Sequence, residues 1–229
     1  MSITSNIQDI QQELQPIGVT LVAISKTKPK EDILEAYQAG QRIFGENMVQ
    51  ELVDKYEELP KDIEWHLVGH LQTNKVKYIA PFIALIQSVD SLKLLSEINK
   101  YAEKNKRVID CLLQVDISLE DTKFGLDHVA LIELLESQDF VNMNNIRVRG
   151  LMGIATNTEN KKEIKEDFYE LKMLFDGVKA SYFRKEDTFD TVSMGMSSDY
   201  TLAIEQGSTM VRLGSTIFGN REIKHFKVK

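Results

Sequence analysis

Hydrophobic positions along the chain follow two alternating patterns. Short unbroken apolar runs recur, and between them apolar residues return every three or four positions. The run Val19-Thr20-Leu21-Val22-Ala23-Ile24 ends in the polar pair Ser25-Lys26. A run this short, without polar alternation, predicts a strand buried on both faces, as in a parallel sheet. Pro29 suits the first turn of a following helix, and Glu31 and Asp32 stand where a helix N-terminus favours acids. Ile33, Leu34 and Tyr37 then mark that helix, which Gly40 closes. Before this strand, Ile7, Ile10 and Leu14 predict an extra N-terminal helix over 5–15.

The same alternation continues. Arg42–Gly45, Glu64–Gly69, Phe82–Ile86, Arg107–Ile117, Ile146–Met152, Thr191–Met194 and Thr209–Gly214 predict seven further strands. Helical spacing separates them, carried by Met48 to Tyr56, by Val76 and Ile79, by Leu92 to Ala102, and by a segment from Asp127 to about Ser137. The most regular helix has Ile164, Phe168, Leu171, Phe175 and Val178, and Leu202-Ala203-Ile204 marks a short one. Strand and helix alternate eight times with no linker or composition break, which predicts an α/β fold with a parallel sheet covered by helices. Eight units in 229 residues suit one (β/α)8 TIM barrel spanning 1–229, with the extra helix in front. A doubly wound open sheet is the alternative; its dinucleotide version lacks the G-x-G-x-x-G that should follow the first strand.

Composition narrows the function classes. A net charge of −7 argues against nucleic acid as the main partner. No apolar run approaches the roughly 20 residues of a membrane span, and the N-terminus shows no secretory pattern. The single cysteine, Cys111, lies in an apolar run, allows no internal disulfide and reads as a small core residue. Together these features point to a cytoplasmic protein.

If the barrel is right, Lys26 projects from the C-terminal end of the first strand, where such folds carry their chemistry. It is either a solvated lysine or a desolvated amine able to attack a carbonyl. The loops after strands seven and eight, Gly195-Met196-Ser197-Ser198 and Gly214-Ser215-Thr216, offer backbone N–H groups and hydroxyls to an anion. Each could be an ordinary turn, but their paired placement favours a phosphate. A lysine nucleophile and a phosphate cradle fit a sugar phosphate, as in a Schiff-base aldolase, or pyridoxal 5′-phosphate. Arg212 sits in the apolar run Met210-Val211-Arg212-Leu213. Facing inward it could donate to a pyridine nitrogen, and facing outward it could pair with Glu205 or Glu222. Asn47 could donate to a phenolic oxygen or cap a helix.

Six motifs then occur in order: Ala23–Pro29, Phe44-Gly45-Glu46-Asn47, Trp65–Lys75, Arg149-Gly150-Leu151-Met152, Gly195-Met196-Ser197 and Gly207–Gly214. With them the chain resembles, over nearly its whole length, the pyridoxal phosphate homeostasis proteins (the YggS/PROSC type). The resemblance implies a single barrel like the N-terminal domain of alanine racemase, holding pyridoxal phosphate as an internal aldimine on Lys26. It also implies that Ser197, Gly214 and Ser215 bind the phosphate, that Met196 belongs to the cofactor site, that Arg212 faces the pyridine nitrogen, and that Asn47 lies near the ring. Met48 and Gly153 depart from common family residues without touching these positions.

The same resemblance implies a binding and supply protein more than an enzyme. An arginine at the pyridine nitrogen favours the unprotonated ring and a weak electron sink. Racemases with that arginine add a second base from a separate domain, and the chain ends about ten residues after Phe218-Gly219. The expectation is a monomer that keeps pyridoxal phosphate for transient delivery to apoenzymes. A racemase-like enzyme, with Tyr200 as its second base, is the alternative, and a Schiff-base aldolase is a third. His66 and His70 straddle a strand end and are not expected to hold a metal. Lys123-Phe124-Gly125 could reach the site or form a packed loop, and Arg221 to Lys229 reads as a solvated tail.

Overall fold

The computed structural model describes residues 2–118 and 124–219. Eight strands, β1 (Thr20–Ile24), β2 (Ile43–Glu46), β3 (Glu64–Leu67), β4 (Leu85–Val89), β5 (Ile109–Gln114), β6 (Ile146–Met152), β7 (Thr191–Met196) and β8 (Met210–Leu213), close into one barrel in sequence order. Every neighbouring pair is parallel, and β1 pairs with β8 to complete the ring, with Val22 opposite Arg212. This is a (β/α)8 barrel.

The helices are α1 (Ile3–Leu14), α2 (Lys30–Gln38), α3 (Val49–Glu58), α4 (Val76–Ile79), α5 (Leu92–Lys104), α6 (His128–Glu136), α7 (Gln138–Val141), α8 (Lys161–Tyr182), α9 (Tyr200–Glu205) and α10 (Ser215–Phe218). The extra helix α1 is capped by Ser2, whose side chain accepts from the Ser5 amide, and buries Ile7, Ile10 and Leu14. Asn6 ties it to α10 by donating to the Ile217 carbonyl at 2.9 Å.

Strand alternation sorts the core into two parts. Outward positions such as Ala23, Phe44, Trp65, Leu67, Val211 and Leu213 pack beneath the helices. Inward positions Val22, Leu85, Leu112, Met152 and Met210 fill the barrel. Cys111 is fully buried on the outer side, and burial pushes its thiol well above the ordinary range.

Most strand boundaries differ from the sequence pattern by a residue or two, and three differences stand out. The fourth strand starts at Leu85, three residues after the apolar run begins. Ile83 N and Phe82 N both donate to Ile79 O, and Phe82 stacks on Tyr56, so the run's first half forms the turn that follows α4. Its true second half holds Gln87 and Ser88, whose polarity hid it. The fifth strand covers 109–114 and not 107–117: Arg107 N still donates to Ala102 O at the end of α5, and beyond Gln114 only an isolated bridge from Val115 to Leu126 continues it. The seventh strand runs on to Met196.

Candidate functional site

Lys26 leaves the end of β1 on a tight turn. Lys28 N donates to Ser25 O at 3.0 Å, and Thr27 sits at φ 64, a conformation a β-branched residue rarely adopts. The turn is clamped from below by three charged side chains. Lys55 Nζ donates to Ser25 O, Glu46 Oε1 and Glu51 Oε1, each at 2.7 Å. Glu51 Oε1 accepts from Thr27 N at 2.6 Å, and Ser25 Oγ donates to Glu46 Oε1 at 2.6 Å. Burial raises the Glu46 carboxyl above its usual range, and the Lys55 charge opposes that shift. A backbone pinned at this many points delivers the Lys26 side chain from a fixed base.

The loop after β7 supplies the second wall. Gly195 is at φ +94, and a Cβ there would lie 2.6 Å from the Ala203 Cβ, so glycine lets the strand turn directly onto α9. Asp199 then accepts from Met196 N at 2.6 Å and fixes the loop. Ser197 Oγ accepts from Gly214 N at 3.1 Å and from Thr216 N at 3.3 Å. Two backbone amides from the loop after β8 therefore converge on one oxygen, an arrangement that suits a phosphate oxygen equally well.

Arg212 faces inward. Its Nη1 donates to Ser193 Oγ at 2.7 Å and its Nη2 to Gly153 O at 2.9 Å. The outward alternative does not occur: Glu205 pairs with Lys165, and Glu222 lies outside the described residues. Burial pulls the guanidinium down to about 10, and Asp199 opposes that shift, so it stays charged at neutral pH.

Lys26, Asn47, Met196, Ser197, Arg212, Gly214 and Ser215 all line one cavity of about 450 Å³ at the C-terminal ends of the strands. Asn47 is not a helix cap, since α3 begins after Met48 with no side-chain cap. Its backbone passes close against Gly69, where a Cβ would lie 2.4 Å from Asn47 O. Sequence reasoning missed Lys28, which lines the cavity and donates to Phe218 O at 2.8 Å. Its place two residues beyond Lys26, past a turn, was the available signal. The lining's ionisable side chains, among the described residues, are Lys26, Lys28 and Arg212, all cationic types. That composition favours an anionic ligand.

Other candidates separate from this cavity. The Tyr200 phenol donates to Glu13 Oε2 at 3.0 Å on the outer side, and burial with that bond raises it above the ordinary phenol range. His66 turns into the barrel onto Gln87, whereas His70 contacts Asp90 and stacks on Phe124. Among the described residues no group of three or more His, Cys, Asp or Glu side chains is placed to hold a metal. Lys123 and the tail from Arg221 to Lys229 lie outside the described residues.

Comparison with known proteins agrees with this architecture. The model of the alanine racemase N-terminal domain matches residues 1–222. A protein of Aquifex aeolicus named pyridoxal phosphate homeostasis protein is 42% identical, with 88% of this chain and 87% of that protein covered. One of the same name from Pasteurella multocida is 38% identical over 97% of this chain and 99% of its own length. PipY of Synechococcus elongatus, solved without pyridoxal phosphate and with it bound, superimposes with TM-scores of 0.88 and 0.85 at 34% identity, covering 95% of this chain and all of PipY. The chain belongs to the pyridoxal phosphate homeostasis proteins, within the alanine racemase N-terminal domain family.

Proposed function

We propose that this protein binds pyridoxal 5′-phosphate through Lys26 and serves intracellular homeostasis and supply of that cofactor, without substantial catalysis of its own. The observation that carries the reading is the meeting of three features in one cavity: a strand-end lysine, a buried inward arginine, and two backbone amides converging on Ser197 Oγ. Relatives named for pyridoxal phosphate homeostasis, and PipY solved with the cofactor bound, support it.

The bound cofactor supplies an aldehyde carbon that an amine can attack and an aromatic ring that withdraws electrons. Lys26 would supply the amine. The Gly214 and Thr216 amides, with Met196, Ser197 and Ser215 around them, would hold the phosphate. Asn47 would lie beside the ring. Arg212 would donate to the ring nitrogen, and because a guanidinium gives up no proton there, the nitrogen would stay unprotonated. That weakens the ring as an electron sink and favours holding over turnover. Tyr200, the residue a racemase-like reading would use as second base, is engaged by Glu13 on the outer side.

The whole chain, 1–229, acts in this reading as one barrel domain, a cytoplasmic monomer with pyridoxal-phosphate-dependent apoenzymes as transient acceptors. No helix among the described residues is long and apolar enough to cross a membrane. The test is the absorbance spectrum of wild type beside Lys26→Ala after adding pyridoxal phosphate. A visible band in the wild type, lost in the variant and on borohydride reduction, is expected. Steady racemisation of added D- or L-amino acids would replace the carrier reading with an enzyme. A wild type that stays colourless would remove pyridoxal phosphate and favour a sugar-phosphate aldolase.

A further inference from the structure

The barrel interior carries a polar chain that leads away from the cavity. Arg212 Nη1 donates to Ser193 Oγ at 2.7 Å, and Ser193 Oγ donates to Gln87 Oε1 at 2.7 Å. Gln87 Nε2 then meets His66 Nδ1 at 3.0 Å. The four residues come from β8, β7, β4 and β3, and all are buried. Val22, Leu85, Leu112, Met152 and Met210 pack around them, the branched and apolar filling a barrel interior usually has throughout. His66 and Met210 line a second cavity near the N-terminal ends of the strands, so the chain links one mouth of the barrel to the other.

The orientation of the Gln87 amide gives this chain a direction. A guanidinium only donates, so Ser193 Oγ accepts from it, and with the Gln87 carbonyl oxygen as its other neighbour it donates its own proton onward. Gln87 takes that proton on Oε1, which turns its amide nitrogen to His66. An amide nitrogen also only donates, so His66 Nδ1 is the acceptor and the imidazole is neutral, with its proton on Nε2. Burial pushes His66 down to about 3, consistent with that single form at neutral pH.

Core stability does not call for such a chain. Buried polar networks of this kind are often matched or bettered by apolar residues of similar volume. What the chain supplies is orientation. Ser193 holds one terminal nitrogen of Arg212 and Gly153 O the other, which fixes the guanidinium plane at the cavity wall. We infer that Gln87, Ser193 and His66 are positioning residues that hold Arg212 in one plane against the cofactor ring and so set the electronic state of its ring nitrogen. The inference rests on the pyridoxal phosphate reading above.

The test compares wild type with Gln87→Met and Ser193→Ala, each loaded with pyridoxal 5′-phosphate. Leu112→Val, in the same interior but outside the chain, is the control. Both chain variants are expected to unfold within about 5 °C of wild type. They nevertheless shift the pH at which the visible band titrates by about one unit. They also release cofactor about tenfold faster, the size of one weakened hydrogen bond from the charged Arg212, lost directly in Ser193→Ala and loosened through Ser193 in Gln87→Met. The control moves neither readout. Wild-type titration and release in both chain variants would reduce the chain to satisfied core packing, and so would an equal shift in Leu112→Val. If Gln87→Met fails to fold, Ser193→Ala decides alone. A wild type that forms no visible band overturns the pocket reading itself, and this inference falls with it.

Discussion

Lys55 Nζ lies 2.7 Å from the carbonyl oxygen of Ser25, the residue before Lys26, and joins two carboxylates to the turn that carries the lysine. Thr27 in that turn holds a left-handed conformation that costs about 1–3 kcal/mol, so the clamp works against real strain. Both Lys55 and Glu46 are buried, and Glu46 Oε2 has no partner among the described residues. Lys55→Met leaves that carboxylate uncompensated and is expected to cost about 3–5 kcal/mol. Lys55→Met combined with Glu46→Leu removes the stranded charge and is expected to recover more than half of the loss. Urea unfolding of the single and double variants checks both. A single variant within about 1 kcal/mol of wild type would mean that the clamp is solvated and holds nothing.

Gly69 and Asn47 offer a cleaner way to disturb the site. A methyl group on Gly69 would meet Asn47 O at 2.4 Å and Asn47 Cα at 2.8 Å, both rigid backbone. Gly69→Ala must therefore displace the strand end that carries Asn47. The expected result is a protein that still folds, destabilised by about 1–3 kcal/mol, in keeping with overpacking. Its affinity for pyridoxal phosphate falls about tenfold, the size of one lost or misplaced hydrogen bond. Equilibrium titration of the visible band measures this. Unchanged affinity would remove Asn47 from the proposed site.

The barrel was legible because most strands are short apolar runs and the long helices keep a three-and-four spacing. The one displaced strand failed where that signal fails: Phe82 and Ile83 are apolar but lie in the turn after α4, and Gln87 and Ser88 are polar but belong to the strand. That Lys26 and the two glycine-serine loops would meet at one end of the barrel could be read because position in such a fold decides which segments share that end. The supporting residues could not. Gln87, Ser193 and His66 lie far apart in sequence, and nothing local says that three polar residues on separate strands share one interior. Glu46 and Lys55 look like ordinary surface charges until the fold buries them together.

His66 makes the stability of the protein sensitive to mild acid. Burial lowers its folded pKa from 6.5 to about 3, while the unfolded imidazole keeps its ordinary value. Between those limits the unfolded state binds one more proton than the folded state, so stability falls as pH falls. The loss is about 1.4 kcal/mol per unit, or about 2 kcal/mol between pH 6.5 and 5. His66→Asn removes this contribution. Its unfolding free energy is expected to drop less than that of wild type between pH 7 and 5, by about 2 kcal/mol. Equal pH slopes in urea unfolding would show that His66 is protonated in the folded protein and that the direction of its hydrogen bond with Gln87 is reversed.

Ser197 separates recognition of the phosphate from recognition of the ring. Its hydroxyl now accepts from Gly214 N and Thr216 N, the amides that the proposed phosphate would use. A ligand oxygen arriving there takes over those donors, and the freed Ser197 hydroxyl becomes a further donor to the same anion. Ser197→Ala keeps the amides and loses that donor, and should weaken pyridoxal 5′-phosphate binding by about tenfold, one hydrogen bond to a charged group. Pyridoxal, which has the aldehyde and ring without the phosphate, should bind wild type and variant alike through Lys26. Titrating both ligands into both proteins gives four affinities, and the result of interest is their double ratio. An equal loss for pyridoxal would place Ser197 in support of Lys26 or the ring. No loss for either would leave the backbone amides as the whole phosphate site.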